Sequence, residues 1–330
     1  MTDVVTSMVE AANLAPSIHN SQPWQFVVHG ELLEVLMDAD RTTPAIDPLG
    51  RGQHLACGAA AFNALVTARA AGRVCNLALG AQRRRPELAA VLTLGGSITP
   101  LPEDRALAAA VPARHTVRSP FEDTPVPAAL VDRLRAAVEH EGAWMTVVER
   151  PEDIVELAVL TERAEAAETS DQRYQAELLA WMRPDGEPAP DGIPVRGLPV
   201  EGPAGRASSV RLRDFRGLGP DPTHPRATEP TEEPPLVERP LLVVIGTDGD
   251  HHVDWLRAGM AMQRLWLTAT ASGLGASPLT QALDHEGPRA LLSRIVGLEN
   301  GHPQMLLRVG FSHAEQVTGR RPVADVLVHQ

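Results

Sequence analysis

The sequence predicts an α+β protein built from two related but unequal halves. Three observations carry this. First, helix-period and strand-period segments alternate from residue 2 to residue 94. Second, a helix rich in small residues occurs twice: Gly58 is matched by Gly259, 201 residues on, together with Ala60/Ala261, Thr67/Thr268, Ala68/Ala269, Ala70/Ala271 and Gly72/Gly273. Third, a Trp-led strand recurs at an offset of 120, Trp24 with Val27-Val28 and Trp144 with Val147-Val148. A repeat of this kind decides architecture before any single element does.

Taken in order, residues 2–14 carry apolar residues at helical spacing (Val4, Val5, Met8, Val9, Ala12) and read as a helix. Pro16 ends it, because proline disfavours helical geometry in the residue before it. Gln25–Val28 and Leu32–Met37 read as two strands joined by a short turn at Gly30. A loop from Asp38 to Gly50 leads to a long helix from about Gln53 to Ala71, closed by Gly72. Its small face (Ala56, Gly58, Ala59, Ala60, Ala61, Ala64, Ala68) suits close approach of another helix and marks it as a buried central element. Arg83-Arg84-Arg85 reads as a solvated turn and Leu88 to Leu94 as a strand.

The two repeat offsets differ by 81 residues, so the second half holds an insertion between its Trp144 strand and its central helix. Residues 151–182 read as a helix, and 183–240 are dense in proline and glycine. That composition suits a linker. Apolar anchors within it (Ile193, Val195, Leu198, Val210, Leu212, Phe215, Leu218) favour a lid.

Composition narrows the function. The chain has 330 residues and is 43% hydrophobic, enough for a sizeable core. A net charge of −12 argues against nucleic acid or an anionic membrane as partner, and 3% aromatic content argues against a base-stacking surface. Cys57 and Cys75 form no Cys-x-x-Cys motif and suit reduced thiols and a cytoplasmic protein. No basic-then-apolar leader and no membrane-length apolar run is seen. His251-His252-Val253-Asp254 and Asp284-His285-Glu286 read as polar loops, and no metal site is assigned.

Ala15-Pro16-Ser17-Ile18-His19-Asn20-Ser21-Gln22-Pro23-Trp24 resembles the signature turn of the nitroreductase superfamily of flavin enzymes, and more narrowly its Acg-like branch. The second half opens with Arg114-His115-Thr116-Val117-Arg118, which resembles the superfamily's Arg-Arg-Ser-x-Arg opening, with His115 in place of the second Arg. Gly273-Leu274-Gly275 with Ala276 to Gln281 resembles its flavin-ring segment, and Thr318 to Val323 its closing basic stretch. The Gly-Leu-Gly run is no dinucleotide fingerprint, since it follows a helix and lacks the third glycine.

The resemblance implies a nitroreductase-like fold and FMN as cofactor. It implies Pro16, Ser17, Ile18 and Asn20 beside the flavin. It also implies Arg114, Thr116 and Arg118 on its phosphate and ribityl chain, Ser277, Pro278, Leu279 and the backbone of Gln281 along its ring, and Arg320 or Arg321 at the phosphate. Each half holds the motif the other lacks. The chain therefore reads as a fused pseudo-dimer with one composite site: 1–110 as a truncated first half, and 111–330 as the second, with a lid-like insertion at 151–240. A monomer is expected, with further self-association open. No side chain is assigned a catalytic role, because the flavin performs the redox step. Two functions remain. One is an oxidoreductase passing electrons from NAD(P)H to a small nitroaromatic, quinone or enone. The other is a catalytically silent protein that holds FMN beneath a lid.

Overall fold

The computed structural model describes residues 3–80, 85–184, 189–194, 238, 240–298, 301–313 and 318–328. Helix α1 (Asp3–Asn13) buries Val5, Met8, Val9 and Ala12 on one face, the stripe its spacing requires. After the turn at 14–23 come β1 (Trp24–His29) and β2 (Leu32–Met37), an antiparallel hairpin in which Trp24 faces Met37 and His29 faces Leu32. Gly30 turns it at φ +60°, a left-handed conformation that glycine adopts without steric cost. The first half continues with α2 (Arg51–Ala70), β3 (Arg73–Leu79) and β4 (Leu88–Ser97), and α3 (Pro102–Ala110) leads out of it.

The second half repeats the plan: α4 (Ala128–His140), β5 (Trp144–Val147), β8 (Leu241–Thr247), α7 (His252–Ala271), β9 (Leu274–Pro278) and β10 (His302–Phe311). Between β5 and β8 lie α5 (Pro151–Ser170), α6 (Gln172–Ala180) and the two-residue strands β6 (Met182–Arg183) and β7 (Ile193–Pro194). Helix α8 (Glu286–Ile295) precedes β10, and α9 (Val323–Val326) follows it. The two main sheets have orders β1-β2-β4-β3 and β5-β8-β10-β9, antiparallel throughout, so each strand has its counterpart in the other sheet.

The helices α2 and α7 pack at the centre. A Cβ on Gly58 would lie 2.1 Å from the Leu256 carbonyl oxygen, and one on Gly259 would lie 2.1 Å from that of Leu55. These two contacts are mirror statements of one two-fold relation, because Leu55 and Leu256 are also 201 residues apart. Farther along, the buried Gln263 donates to Asn63 across the pair at 2.7 Å. One apolar core draws on α1, α2, α4 and α7 and on both sheets, so the halves share an interior. A smaller cluster under α5 and α8 is built around Leu157, Leu279, Leu283 and Leu306. Arg308 and Glu238 form a fully buried ion pair, and Glu238 also accepts from the Phe121 amide. That pair pins the end of the insertion to β10.

Three expectations are corrected or extended. The helix expected over 151–182 is two helices, because Asp171 leaves helical geometry and caps α6 by accepting from the Arg173 and Tyr174 amides. Between Gly72 and the basic run, where no element is expected from the sequence, lies strand β3, hidden by its mixed polarity; only Cys75 is buried along it. Of the lid expected from 183–240, Arg183, Pro184, residues 189–194, Glu238 and Pro240 fall within the described residues, and the remainder lies outside them. Cys57 and Cys75 are both free and buried, and burial pushes the Cys75 thiol up to about 11. No helix among the described residues is long and apolar enough to cross a membrane.

The glycine contact gives a test of the two-fold relation. We expect Gly58→Ala and Gly259→Ala each to destabilise the protein by about 1–3 kcal/mol. The double variant should lose less than the sum, since both relieve one helix contact. Gly96→Ala, where an added Cβ meets nothing within 4 Å, should leave the urea midpoint nearly unchanged. Additive losses at 58 and 259 would refute a shared contact.

Candidate functional site

The turn expected to organise the chain is held in an uncommon backbone state. His19, Asn20 and Gln22 all have positive φ, at 48°, 57° and 51°. Such residues persist only where their surroundings over-determine them. Here the Gln22 amide donates to Ser17 Oγ at 2.9 Å, and the Gln22 side chain donates to the carbonyls of Asn20 (3.2 Å) and Pro190 (2.8 Å). The Asn20 side chain donates to the carbonyls of Gly192 and Gly319, both at 3.2 Å. One short turn thereby ties together the first half, the insertion and the C-terminal segment.

Beside this turn lies a cleft partly open to solvent. Pro16, Ser17, Ile18 and His19 of the first half and Ser277, Pro278, Thr280 and Gln281 of the second half line it. The first turn of α2 (Arg51, Gly52) and the middle of α7 (Met262, Trp266) form its floor. Thr116 and Arg118 reach it because their segment runs beside β9, with the Val117 amide donating to the Ala276 carbonyl at 3.0 Å.

Arg118, in the cleft lining, is electrostatically coupled to Arg114 and Arg320 in a cationic cluster. Arg114 is buried, stacks its guanidinium 4.8 Å over the Trp266 ring and donates to the Leu14 carbonyl at 3.2 Å. Arg320 donates to the same carbonyl at 3.3 Å, to Ala15 at 3.2 Å and to Asn20 Oδ1 at 3.0 Å. Burial, reinforced by repulsion from Arg320 and Arg118, pushes the Arg114 guanidinium below the ordinary arginine range. Burial likewise lowers Arg118, and burial with repulsion from Arg118 lowers Arg320. Among the described residues, the hydrogen-bond partners of Arg114 and Arg320 are carbonyl, amide and hydroxyl oxygens, with no carboxylate among them. Arg114 Nε and Nη1 and Arg320 Nε are buried without a partner. Arginine keeps its charge through neutral pH, so the cluster concentrates positive charge next to the cleft that Arg118 lines.

Of the residues singled out in the sequence, Pro16, Ser17, Ile18, Thr116, Arg118, Ser277, Pro278 and Gln281 line the cleft. Asn20, Arg114 and Arg320 stand behind its wall and meet one another through the bonds just described. Leu279 does not reach it: its side chain packs into the second apolar cluster, just past the end of β9. Arg321 also turns away, donating to the carbonyls of Gln22 and Asp325 and lying 3.7 Å from Asp38.

Other cleft residues escaped the sequence reading. Met262 and Trp266 sit in the middle of a helix whose small-residue repeat drew attention elsewhere. Arg51 left a signal: a cation in the first helical turn opposes the helix dipole. It is buried there because it donates to the carbonyls of Gln304 and Leu283. Gly52 leaves room for Ile18, whose Cδ1 would lie 2.2 Å from an added Cβ and would have to move aside. Elsewhere, Arg85 of the basic run forms a bidentate pair with Glu34 at 2.7 and 2.8 Å. His252 packs on the rings of His54 and Trp255.

A sequence model of the Nitroreductase family matches residues 111–311. The chain is 31% identical over 334 aligned residues to the Mycobacterium tuberculosis protein named "Putative NAD(P)H nitroreductase Rv3131", covering 98% of this chain and 91% of that one. It is 29% identical to "Putative NAD(P)H nitroreductase acg" of the same organism, covering 98% and 95%. A crystal structure of a nitroreductase with bound FMN from Desulfitobacterium hafniense is similar over 68% of this chain and 98% of its own, at 12% identity and a TM-score of 0.42.

The unequal placement of Arg320 and Arg321 can be tested without any cofactor. We expect inorganic phosphate to raise the melting temperature of flavin-free protein, by the equivalent of about 1.4 kcal/mol at ten times its Kd. Arg118→Ala and Arg320→Ala should abolish the shift, and Arg321→Ala should keep it. Loss of the shift in Arg321→Ala alone would reverse the assignment.

Proposed function

The chain belongs to the nitroreductase family, and on that premise we propose that it holds one FMN in the cleft between its halves. With it the protein acts as an oxidoreductase, passing electrons from NAD(P)H to small nitroaromatic, quinone or enone acceptors. The observation that carries this reading is the buried arginine cluster with orphaned N–H groups at one end of a cleft walled by Pro16–Ile18 and Ser277–Gln281. A phosphate monoester supplies acceptor oxygens for the N–H groups of Arg114 and Arg320 that find no partner among the described residues. Bound FMN supplies the redox chemistry. The protein's own residues bind and orient: Asn20 Oδ1 fixes Arg320, Trp266 seats Arg114, and Ser17 Oγ holds the strained turn through the Gln22 amide.

We read residues 1–110 and 111–330 as diverged copies of one unit, and the asymmetry of the central helices supports one site per chain. On the two-fold relation, Gly52 and Ala56, which line the cleft, correspond to Val253 and Arg257. On the opposite side of the helix pair, larger side chains therefore stand where a second ligand would lie. Trp255 and Arg289 both donate to Asp250 there, at 2.6–2.8 Å.

One observation favours the alternative, a protein that holds FMN without turnover. Ile193, from the insertion, is buried at the cleft. Its segment is fastened by Asp191, which accepts from Arg41 at 2.5 Å and from Arg183 at 2.9 and 3.0 Å. A strap fixed over the site restricts what reaches the cofactor.

The deciding experiment is flavin content followed by anaerobic titration. We expect one FMN per chain, bleached by NADPH or NADH. Bleaching by dithionite alone would favour the flavin-holding alternative, and absence of flavin after reconstitution would refute both. Arg118→Ala and Asn20→Ala, in different halves, should each lower FMN occupancy severalfold. Full occupancy in either would remove that residue from the site.

A further inference from the structure

Arg320 and Arg321 are chemically identical neighbours, yet only the first joins the cationic cluster. Arg320 leaves Nε buried without a partner among the described residues, while Arg321 lies 3.7 Å from the Asp38 carboxylate. Their segment, residues 318–322, belongs to no helix or strand that would fix its register. Two buried amide side chains fix it instead. Asn13, the last residue of α1, donates from Nδ2 to the Arg321 carbonyl at 2.7 Å, and Gln22 accepts at Oε1 from the Arg321 amide at 2.8 Å. The orientation of each side-chain amide is itself determined. The Trp24 indole can only donate, and it donates to Asn13 Oδ1 at 3.0 Å, which turns Nδ2 toward Arg321. The Asn20 and Pro190 carbonyls can only accept, and Gln22 Nε2 donates to both, which turns Oε1 toward Arg321. Asn13 and Gln22 are 4% and 0% exposed and neither lines the cleft. Each would lose a hydrogen bond in a buried place if the Arg321 backbone moved away, and such a loss is costly.

We propose that Asn13 and Gln22 are positioning residues of the anion site: by holding the N–H and C=O of Arg321 from two sides, they make Arg320 the arginine that meets the ligand's phosphate. This rests on the flavin reading above and deepens it, because it names what selects one of two adjacent cations. With its backbone held, Arg321 sends its side chain to the carbonyls of Gln22 and Asp325. The residue before it is then delivered to Leu14, Ala15 and Asn20. Without the clamp, the segment samples arrangements in which Arg320 is displaced, and affinity for a phosphate falls with the fraction of time Arg320 is in place. A flavin without a phosphate gains nothing from Arg320 and is indifferent to the clamp.

The test compares FMN with riboflavin, which carries the ring without the phosphate. Both are titrated by fluorescence into flavin-free wild type, Asn13→Leu, Gln22→Met, Arg320→Ala and the Asn13→Leu/Arg320→Ala double variant. Asn13→Leu and Gln22→Met add no charge, and each should lower the FMN-to-riboflavin affinity ratio about tenfold. Asn13→Leu should leave the riboflavin affinity itself unchanged. A general loss of stability would not do this: Leu92→Ala, fully buried in β4, should lower the urea midpoint and keep the ratio. Because Asn13 acts through Arg320, the double variant should show the same ratio as Arg320→Ala alone. If Asn13→Leu does not fold, Gln22→Met, which releases the same backbone from the other side, decides the question. A wild-type ratio in either variant that folds, or additive losses in the double variant, would overturn the inference while leaving the flavin reading intact. A wild-type protein that binds FMN no better than riboflavin, or binds neither, would overturn both.

Discussion

The backbone contact between α2 and α7 at Gly58 and Gly259 is the constraint from which the rest of the architecture follows. With no side chain between them, each helix meets a carbonyl of the other where a Cβ would lie only 2.1 Å away. Close-packed interiors transmit such spacing to their neighbours. Each sheet is laid against its own central helix, and the two sheets share one core. The separation of the helices therefore sets the separation of the cleft walls. The floor of the cleft is the same helix pair, the first turn of α2 beside the middle of α7. A site of this kind cannot be formed by either half alone.

Against that rigid frame, the site itself carries unfavourable terms. Three arginines crowd together, two of them with buried N–H groups that find no partner among the described residues. Three non-glycine residues within four positions adopt left-handed backbone. Both features cost free energy in the unliganded protein. They are sustained because their neighbours belong to fixed elements: the Leu14 carbonyl follows the end of α1, Trp266 belongs to α7, and the Gly192 and Gly319 carbonyls hold Asn20 from two directions. The frame tolerates a strained, under-satisfied cleft, and a polyanionic, acceptor-rich ligand is what relieves it.

Much of this was legible in the sequence, for identifiable reasons. The repeat showed itself because close helix contact permits only small residues, and that restriction survives divergence at Gly58/Gly259 and Ala68/Ala269. Hairpin β1–β2 was legible because turn chemistry at Gly30 is local. The turn at 15–24 and the arginines at 114 and 118 were legible as motifs. What escaped depends on contacts between distant segments. Strand β3 has too little burial to show alternation. Leu279 sits inside a motif yet packs into the apolar cluster under α5 and α8, contacts that come from distant segments. Arg320 and Arg321 are adjacent, and only the position of the Leu14 and Ala15 carbonyls against that of Asp38 separates their roles.

The same two-fold relation that builds the site also explains why the chain is not symmetric. A symmetric pair of halves would present equivalent clefts on both sides of the helix pair. Here the substitutions that separate the sides are concentrated where a ligand would lie. Gly52 admits Ile18 to one cleft, while its counterpart Val253 cannot offer the same approach; Ala56 leaves room, while Arg257 extends a long side chain and pairs with Asp254 at 3.1 Å. The contact at Gly58 and Gly259, by contrast, retains the same residue in both halves. Packing at the axis demands identical, minimal side chains from both copies, whereas a second cleft places no such demand once the first suffices. The two copies have diverged most on one side of the molecule, and Ile193, from the insertion, lines the cleft on the other.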